Sequence, residues 1–256
     1  MTDPAPEPLP ITAYIRTLNE ARMIADVVRA AGRVADEVVV VDSGSTDGTQ
    51  ALAEAEGARV IHQDWLGNGF QKRVGEDAAR HDWLLDLDAD EIVSAPLEAA
   101  LRDVFAETPT RTAYGVRLAF KPGGRPVLEK SFPTVRVKLY DRRAHRQPEH
   151  KVWDQLEGVT GAPVLQGYLI HHIYDDLAEL VHKMNRGSSN RAENAKQRSV
   201  GQLRARVLVG FPIYFLRNYL YRGGWRAGTY GVALSAILSW SRWLRDVKQF
   251  DARTRS

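Results

Sequence analysis

Four acidic side chains follow one apolar run, and their types and spacing suit metal chemistry. Asp86, Asp88 and Asp90 alternate along the chain, and Glu91 comes next. Carboxylates packed this closely repel one another, and burial makes the charged forms more costly still. A bound Mg²⁺ or Mn²⁺ would relieve the repulsion, because these ions prefer oxygen ligands and can bridge a diphosphate. The alternative interpretation is a solvated acidic turn after an edge strand.

Two further polar segments could belong to the same site. Residues 42–49 (DSGSTDGT) begin with Asp42, whose carboxylate could accept hydrogen bonds from a base or ribose, and the glycines permit close backbone approach. The alternative is a polar turn whose side chains cap the next helix. Lys72 and Arg73 could meet phosphate at a helix start, or could simply face solvent. Neither the dinucleotide-binding pattern GxGxxG nor a P-loop occurs in the sequence.

The elements that must position these residues alternate between strand and helix. Strands are predicted at 11–16, 37–41, 58–62 and 83–87, and helices at 21–31, 50–56 and 71–80. This order indicates an α/β fold with a doubly wound, mostly parallel sheet and right-handed crossovers. Ligands bind outside the carboxyl ends of such strands, where the polar loops 17–20, 42–49 and 88–91 fall. Later elements are a helix at 96–105, strands at 113–120 and 135–140, and helices from 177 onward.

Charge is distributed unevenly along the 256 residues. Lys183–Ser256 contains 15 basic and 3 acidic residues, whereas Met1–His182 contains 20 basic and 29 acidic residues. An acidic body with a basic tail indicates that the tail meets an anionic partner. The chain has no cysteine, which excludes disulfides, thiolate metal sites and cysteine nucleophiles. The proline-rich segment Met1–Pro10 is predicted to be a disordered leader.

The basic tail spaces its apolar residues as amphipathic helices do. Tryptophans 225, 240 and 243 lie next to arginines 226, 242 and 245, a combination suited to a lipid headgroup interface. The apolar stretch Ala227–Trp240 is too short to span a bilayer. We therefore expect peripheral docking on an anionic membrane surface, the alternative being a helical subdomain packed on the sheet. No nucleic-acid-binding module is recognised, so nucleic acid is not an expected partner.

In combination, the motifs resemble the family 2 glycosyltransferases of the GT-A fold. The resemblance is carried by Thr17–Glu20 (TLNE), Val41–Thr49 (VDSGSTDGT) and Leu87–Glu91 (LDADE). The later segments WLGNGFQK (65–72), DWLL (82–85) and KMN (183–185) are similar to the lipopolysaccharide-core β-glucosyltransferase branch, the WaaE/KdtX-like group. This implies a GT-A domain at 11–176, with a nucleotide-binding half at 11–110 and an acceptor half at 111–176. A basic helical, membrane-associating region would follow at 177–256.

The resemblance also implies roles for individual residues. The nucleotide-sugar would be bound by Thr17, Asn19, Glu20, Asp42, Ser43, Lys72 and Asp88, with Asp42 on the base, commonly uracil. Asp88 and Asp90 would form the metal-binding DxD pair. The branch carries Val-His-Glu about eighteen residues before a histidine, and here Val152-Trp153-Asp154 precedes His171 by a similar interval. Asp154 would then be the general base, and His171 a metal or diphosphate contact. Because Trp replaces His and Asp replaces Glu, Glu149 and Glu157 remain alternative bases.

The function implied by the resemblance is metal-dependent, inverting sugar transfer. The donor would be a nucleotide-sugar, with a UDP-sugar as the first candidate. Mn²⁺ or Mg²⁺ would be the cofactor. The acceptor would be a lipopolysaccharide core or another lipid-linked glycan, met at the cytoplasmic face of the cell membrane. Two alternatives remain open. A haloacid dehalogenase-type phosphatase also carries Asp-x-Asp, but at the end of its first strand, and a non-catalytic membrane adaptor could retain a degenerate transferase body.

Overall fold

A computed structural model of the chain describes residues 7–194, 196 and 198–255. They form two compact units. The first unit contains the described residues through Leu118 together with Thr134–His171, and the second contains Ala119–Pro133 and the chain from His172 onward. The predicted acceptor half, 111–176, is therefore divided between the two units. Residues 1–6 of the predicted leader lie outside the described residues. The leader also ends before Pro10, because Leu9 and Pro10 already belong to the first strand.

One sheet of eight strands organises the first unit within the described residues. The strands are β1 (Leu9–Thr17), β2 (Ala35–Asp42), β3 (Arg59–His62), β4 (Trp83–Asp88), β5 (Glu91–Val93), β6 (Ala113–Phe120), β7 (Thr134–Asp141) and β8 (Val164–His171). Their order is β3-β2-β1-β4-β7-β6-β8-β5. The helices of this unit are α1 (Ile24–Gly32), α2 (Thr49–Ala55), α3 (Asn68–Ala78) and α4 (Ala95–Phe105).

The α/β class and the parallel arrangement of the first four strands are confirmed. β2 and β4 flank β1 in parallel, and β3 runs parallel to β2. The other half of the sheet is antiparallel, since β7 pairs with both β4 and β6, and β5 pairs with β8. The sequence did not predict β5 and β8. β5 has only three residues, and Gly167 interrupts the apolar pattern of β8.

Alternation along the strands separates the face with the larger apolar core from a second face, here called the polar face, on which polar side chains adjoin a smaller apolar cluster. Ile11, Ile15, Leu85 and Leu87 are fully buried in the larger core, which α1 covers with Ile24, Val27 and Val28. Successive side chains in a strand point to opposite faces. Tyr14 and Arg16 of β1 therefore share the other face with their register partners Asp86 and Asp88 of β4. The polar side chains thus collect on one face near the carboxyl ends of β1 and β4.

The second unit consists mainly of helices. These are α5 (Leu177–Asn194), α6 (Val200–Leu216) and α7 (Gly228–Thr254), with one π-helical turn at Arg217–Tyr221 and a short 3₁₀ turn at Gly224–Ala227. Ser199 and Gln202 form a capping box that begins α6. Phe132 from the segment Ala119–Pro133 is fully buried in the core of this unit. In the described part of the chain, the helices are too short or too polar for any of them to span a membrane.

Helix α3 packs on the polar face of the sheet through a glycine. A Cβ on Gly75 would lie 2.8 Å from Cδ2 of Tyr14, whose ring is fully buried. The hydroxyl of Tyr14 lies 2.8 Å from that of Tyr140, which donates to Glu76 of α3 at 2.5 Å. The ring is therefore held in place and cannot move aside easily.

We expect Gly75→Ala to lower the free energy of unfolding by about 1–3 kcal/mol, the usual cost of overpacking a filled core. Gly32→Ala is the matched control, because it lies in a helix of the same unit and a Cβ there meets nothing within 4 Å. Urea denaturation of both variants measures the difference. Equal stabilities would contradict the close contact between α3 and Tyr14.

Candidate active site

Two loops at the carboxyl edge of the sheet are joined by hydrogen bonds. The amide of Asn19 donates to Ser45 Oγ at 2.8 Å, and Asn19 Oδ1 accepts from the amide of Thr46 at 2.9 Å. The amide of Glu20 donates to Thr49 Oγ1 at 2.9 Å. Asn19 has a positive φ of 54°, a conformation that asparagine tolerates better than most residues. The predicted nucleotide-binding loops 17–20 and 42–49 therefore form one surface.

Asp42 organises the second of these loops. Its buried carboxylate accepts from the amides of Gly44 at 3.0 Å and Ser45 at 2.8 Å, and from Gln50 Nε2 at 2.5 Å. Burial opposes ionisation, but the hydrogen bonds from Ser45, Gln50 and Gly44 outweigh it and hold the pKa of Asp42 below its usual value. Asp42 therefore shapes its own turn, and its predicted contact with a base stays a prediction. Oδ2 of Asp42 accepts only from Ser45 Oγ among the described contacts.

A cavity of about 430 Å³ lies next to this edge, within the first unit. Acidic and basic side chains line it: Lys72, Asp86, Asp88, Glu91, Arg136, Lys138, Asp154 and His171. The structure therefore brings together six of the residues singled out from the sequence, namely Lys72, Asp86, Asp88, Glu91, Asp154 and His171. It also adds Lys138, which the sequence analysis missed.

Arg16 bridges two carboxylates at the cavity. Its Nε donates to Asp88 Oδ1 at 2.8 Å, and its Nη2 lies 2.9 Å from Asp154 Oδ2. Nη1 donates to Asn68 Oδ1 at 2.7 Å, which fixes the third side of the guanidinium. The neighbouring carboxylates, of which Asp88 is the foremost, raise the pKa of Arg16 despite its burial. Arg16 therefore remains a permanent positive charge between Asp88 and Asp154.

Two buried lysines compensate the rest of the acidic cluster. Lys72 Nζ lies 2.7 Å from Asp86 Oδ2, 3.8 Å from Asp154 Oδ2 and 3.9 Å from Asp88 Oδ1. Lys138 Nζ lies 2.6 Å from Glu91 Oε2 and 3.7 Å from Asp88 Oδ2. The sequence attributed relief of this charge crowding to a metal alone. Basic side chains from three elements in fact provide much of it.

The two carboxylates nearest Lys138 respond to their surroundings in opposite directions. Burial would raise the pKa of Asp88, but Lys72, Lys138 and Arg16 together hold it well below its usual range. Glu91 is more deeply buried, so burial, together with the nearby charge of Asp88, raises its pKa above the usual value. Asp88 is therefore firmly ionised, and a neutral Glu91 is easier to form. Such a separation of pKa values between neighbouring carboxylates is common in active sites.

Asp90 and His171 meet on the other side of the cluster. Pairing of β5 with β8 sets Glu91 opposite His171, and His171 Nε2 lies 3.3 Å from Asp90 Oδ1. Burial would lower the pKa of His171, but Asp90, Glu91 and Asp88 raise it. His171 therefore holds a proton more readily than a free histidine, and it would release that proton on binding a metal ion. Both oxygens of Asp88 already face basic side chains, so the metal-binding pair of Asp88 and Asp90 stays a prediction.

The donor chemistry at this position fits a divalent cation that is only partly held by protein. Among the described residues, no three acidic or histidine side chains converge to hold a metal by themselves. Mg²⁺ and similar ions are commonly bound by one or two protein side chains, with the substrate's phosphates and water completing the shell. Asp90 and His171 supply one oxygen and one nitrogen of this kind. They are the residues that would hold the ion.

Close backbone packing brings Asp154 to the cavity. The amides of Asn68 and Gly69 donate to the carbonyls of Lys151 and His150 at 2.9 and 3.0 Å, so the start of α3 lies against this segment. A Cβ on Gly69 would lie 2.7 Å from the carbonyl oxygen of Trp153, and closer still to that of Pro148. This contact explains the glycines of the segment WLGNGFQK, because only glycine allows so close an approach.

The structure separates Asp154 from the alternative bases. Glu149 and Glu157 are exposed and do not line the cavity. Thr17 is buried beneath the loops, and its carbonyl accepts from the amide of Ser43 at 3.0 Å. Arg16 and Lys138 could have been suspected from the sequence, since each is a charged residue in a strand of otherwise apolar character.

Comparison with known proteins identifies the family. The profile of Glycosyl transferase family 2 matches residues 12–160, which is more than half of the chain. The lipopolysaccharide core biosynthesis glycosyltransferase LpsC of Rhizobium meliloti is 30% identical over 87% of this chain and 85% of its own. A Rickettsia felis protein named as a glycosyltransferase is 29% identical over 93% of this chain and 88% of its own.

Solved structures also resemble parts of the chain. Glucosyl-3-phosphoglycerate synthase of Mycobacterium tuberculosis, solved in complex with UDP, is 27% identical over 45% of each chain with a TM-score of 0.33. Residues 1–349 of TarS of S. aureus are 15% identical over 96% of this chain and 92% of that one, with a TM-score of 0.46.

The chain belongs to glycosyltransferase family 2. Both the predicted family and the prediction of a transferase are confirmed by the profile match and by the named relatives. Family membership also decides against the phosphatase that the sequence had left open. The relatives named as glycosyltransferases support an enzyme in place of the non-catalytic adaptor.

We expect Gly69→Ala to lower the rate of sugar transfer by about 100-fold, because a shift of roughly 1 Å in a catalytic group can have an effect of that size. The added methyl would push the segment that carries Asp154 away from Arg16. Nucleotide release from the donor measures the rate, and Gly32→Ala again serves as the control. Full activity of Gly69→Ala would show that this packing does not position Asp154.

Proposed function

We propose that this glycosyltransferase moves a sugar, with inversion, from a UDP-sugar to a lipopolysaccharide core or another lipid-linked glycan. The observation that carries the proposal is the meeting of Lys72, Asp88 and Asp154 in one cavity near the carboxyl ends of β1 and β4, where Arg16 pairs with both carboxylates. In open α/β sheets this edge is the usual place for ligands. The cavity combines groups for a diphosphate with a carboxylate that can take a proton.

The nucleotide would lie on the surface formed by the two joined loops. Asn19, Glu20 and Ser43 belong to this surface, and Asp42 holds its shape. The diphosphate would then reach Lys72 and Arg16, since both are basic groups at the cavity and guanidinium forks match phosphate oxygens well. Before a donor binds, Asp88 and Asp154 occupy these basic groups. Donor binding would therefore exchange one anion for another.

Charge balance supports dependence on a metal. Near the site the carboxylates of Asp86, Asp88, Asp90, Glu91 and Asp154 face the basic groups of Arg16, Lys72, Arg136 and Lys138, with His171 beside them, so the charges nearly balance. A diphosphate would make this cluster negative. A divalent cation held by Asp90 and His171 would offset it and stabilise the charge that develops on the departing nucleoside diphosphate.

Asp154 is the group that we assign as the general base. It lines the cavity, and about a quarter of its side chain is exposed. An acceptor hydroxyl that attacks the anomeric carbon must lose its proton, and a carboxylate within hydrogen-bond reach can take it. Arg16 orients Asp154 through Oδ2. Inversion requires only this one base, because a single displacement completes the transfer.

The acceptor and the location rest on other observations. LpsC is named for lipopolysaccharide core biosynthesis, and it aligns with most of this chain. The second unit contributes the exposed apolar residues and arginines that suit a headgroup interface. We therefore propose that the protein works at the cytoplasmic face of the cell membrane as a peripheral protein.

The metal assignment can be tested with UDP as the ligand in calorimetry. We expect Mn²⁺ to strengthen UDP binding to the unmodified protein. In Mn²⁺, Asp90→Ala or His171→Ala should weaken UDP binding by about 10–100-fold, the range for loss of a metal's supporting residue. Asp36→Ala and His81→Ala are matched controls, because this Asp–His pair lies 2.8 Å apart near the amino ends of β2 and β4. UDP binding that is identical in Mn²⁺ and in chelator would contradict the proposal.

The base assignment can be tested by comparing three isosteric variants. We expect Asp154→Asn to lower kcat by about 10²–10⁴-fold, the usual contribution of general base catalysis, with little change in UDP affinity. Glu149→Gln and Glu157→Gln should retain activity, because both side chains lie outside the cavity lining. A loss of activity confined to either glutamate variant would transfer the assignment to that residue.

A further inference from the structure

Five arginines line one cavity inside the second unit. They are Arg191 of α5, Arg217 in the π-helical turn, Arg222 just after it, and Arg242 and Arg245 of α7. The cavity has a volume of about 250 Å³, and none of its lining residues in the described chain is acidic. A site with this composition is suited to an anion, because guanidinium groups bind phosphate oxygens through paired N–H donors.

Uncharged partners hold two of these arginines in place without cancelling their charge. Arg191 Nη2 donates to Ser241 Oγ at 2.7 Å. Arg222 donates to Asn218 Oδ1 and to the carbonyl oxygen of Phe132, both at 3.3 Å. Such bonds fix the guanidinium positions before any ligand arrives. Fixed donors lose less entropy on binding than mobile ones.

One carboxylate adjoins the cluster, and two arginines already share it. Asp246 accepts from Arg245 at 2.7 Å and from Arg206 at 3.0 Å. Within the described part of the chain, Arg217 and Arg242 have no carboxylate partner. Arg242 instead lies over the Tyr214 ring, 4.8 Å from its centroid. The cluster therefore retains most of its positive charge.

Repulsion within the cluster has an electrostatic consequence. Burial, followed by the charges of Arg245 and Arg242, lowers the pKa of Arg191. Burial together with Arg217 and Arg242 lowers the pKa of Arg222 in the same way. An anion in the cavity would offset both.

Exposed apolar side chains lie on the same stretch of helix as Arg217. They are Leu208, Val209, Ile213, Leu216, Leu220 and Tyr221, and Tyr221 is 88% exposed. Arg217 directly follows Leu216 and precedes Leu220 by one helical turn. An apolar surface next to a cluster of guanidinium groups matches a ligand that has a phosphate at one end and hydrocarbon at the other.

We propose that the arginine cavity binds the phosphate of an anionic membrane lipid, while the exposed apolar residues of α6 and the turn after it contact the acyl region. The proposal rests on the membrane partner assigned to this protein above. It adds a specific site for a lipid phosphate, where the earlier proposal had only a general attraction to a charged surface. A phosphate monoester, with more than one ionisable oxygen, is the preferred headgroup.

The test is vesicle flotation of the full chain with phosphatidylcholine vesicles that contain either phosphatidic acid or an equal amount of phosphatidylglycerol. We expect tighter binding to the phosphatidic acid vesicles. Arg217→Gln/Arg242→Gln should weaken that binding by about tenfold or more. The control Arg186→Gln/Arg204→Gln removes the same charge from exposed positions outside the cavity and should change it by less than about threefold.

Equal losses in the two double variants would overturn the proposal, as would equal binding to the two kinds of vesicle. A single-stranded oligonucleotide that displaces the vesicles from the unmodified protein, and that fails to bind Arg217→Gln/Arg242→Gln, would reassign the cavity to nucleic acid. Competition by inorganic phosphate alone, at the same concentration as the lipid, would reassign it to a soluble anion.

Two further measurements separate this outcome from misfolding and from the transferase proposal. Arg217→Gln/Arg242→Gln should melt at the same temperature as the unmodified protein or higher, because it relieves repulsion. If it does not fold, Arg217→Lys/Arg242→Lys is the substitute, because it keeps the charge but removes the paired N–H donors of the guanidinium groups. This variant should lose part of the preference for phosphatidic acid, and less than the roughly tenfold expected for the glutamine variant. UDP binding in Mn²⁺ should be unchanged in every arginine variant. Failure of the unmodified protein to bind UDP would count against the transferase proposal alone.

Discussion

The pairing of Arg16 with Asp88 is the interaction on which the cavity depends. It joins register partners on two adjacent parallel strands. The same guanidinium also pairs with Asp154, which belongs to a loop far away in the sequence. Buried carboxylates remain ionised only when opposite charges lie close by, because losing their hydration is costly. Lys72 and Lys138 complete this compensation from α3 and β7. The cavity is therefore a balanced cluster of charges that a diphosphate and a cation could enter by exchange.

Backbone packing determines how accurately the cluster is assembled. Gly75 lets α3 lie on the Tyr14 ring, and Gly69 lets the start of the same helix lie against the segment before Asp154. Lys72 lies on α3 between these two contacts. One helix thus sets both a basic group and the candidate base relative to the sheet. Small residues at such positions carry functional information although they have no reactive group.

The two units use charge in opposite ways. In the first unit, acidic and basic side chains alternate around one cavity and nearly balance. In the second unit, arginines gather around another cavity with little compensation, held by Ser241 and by backbone oxygens. Uncompensated like charges destabilise a fold unless an outside partner offsets them. The sequence indicated this excess as a basic tail, and the helices concentrate part of it in one place.

The sequence by itself determined the family, the α/β class, and the clustering of Asp88, Lys72, Asp154 and His171. The α/β class follows from local periodicity, and Asp88 and Lys72 from polar residues near strand and helix ends. The family follows from the combination of motifs, and Asp154 and His171 were implied by that resemblance. Only the tertiary structure decided that Arg16 and Lys138 neutralise the acidic cluster, that Asp90 faces His171, and that Glu149 and Glu157 lie outside the cavity. Those outcomes depend on antiparallel pairing of short or interrupted strands and on contacts between residues far apart in the chain. Strand pairing of this kind and contacts between distant residues produce no local pattern in the sequence. The free energy that selects them comes from burial and charge pairing across the folded sheet.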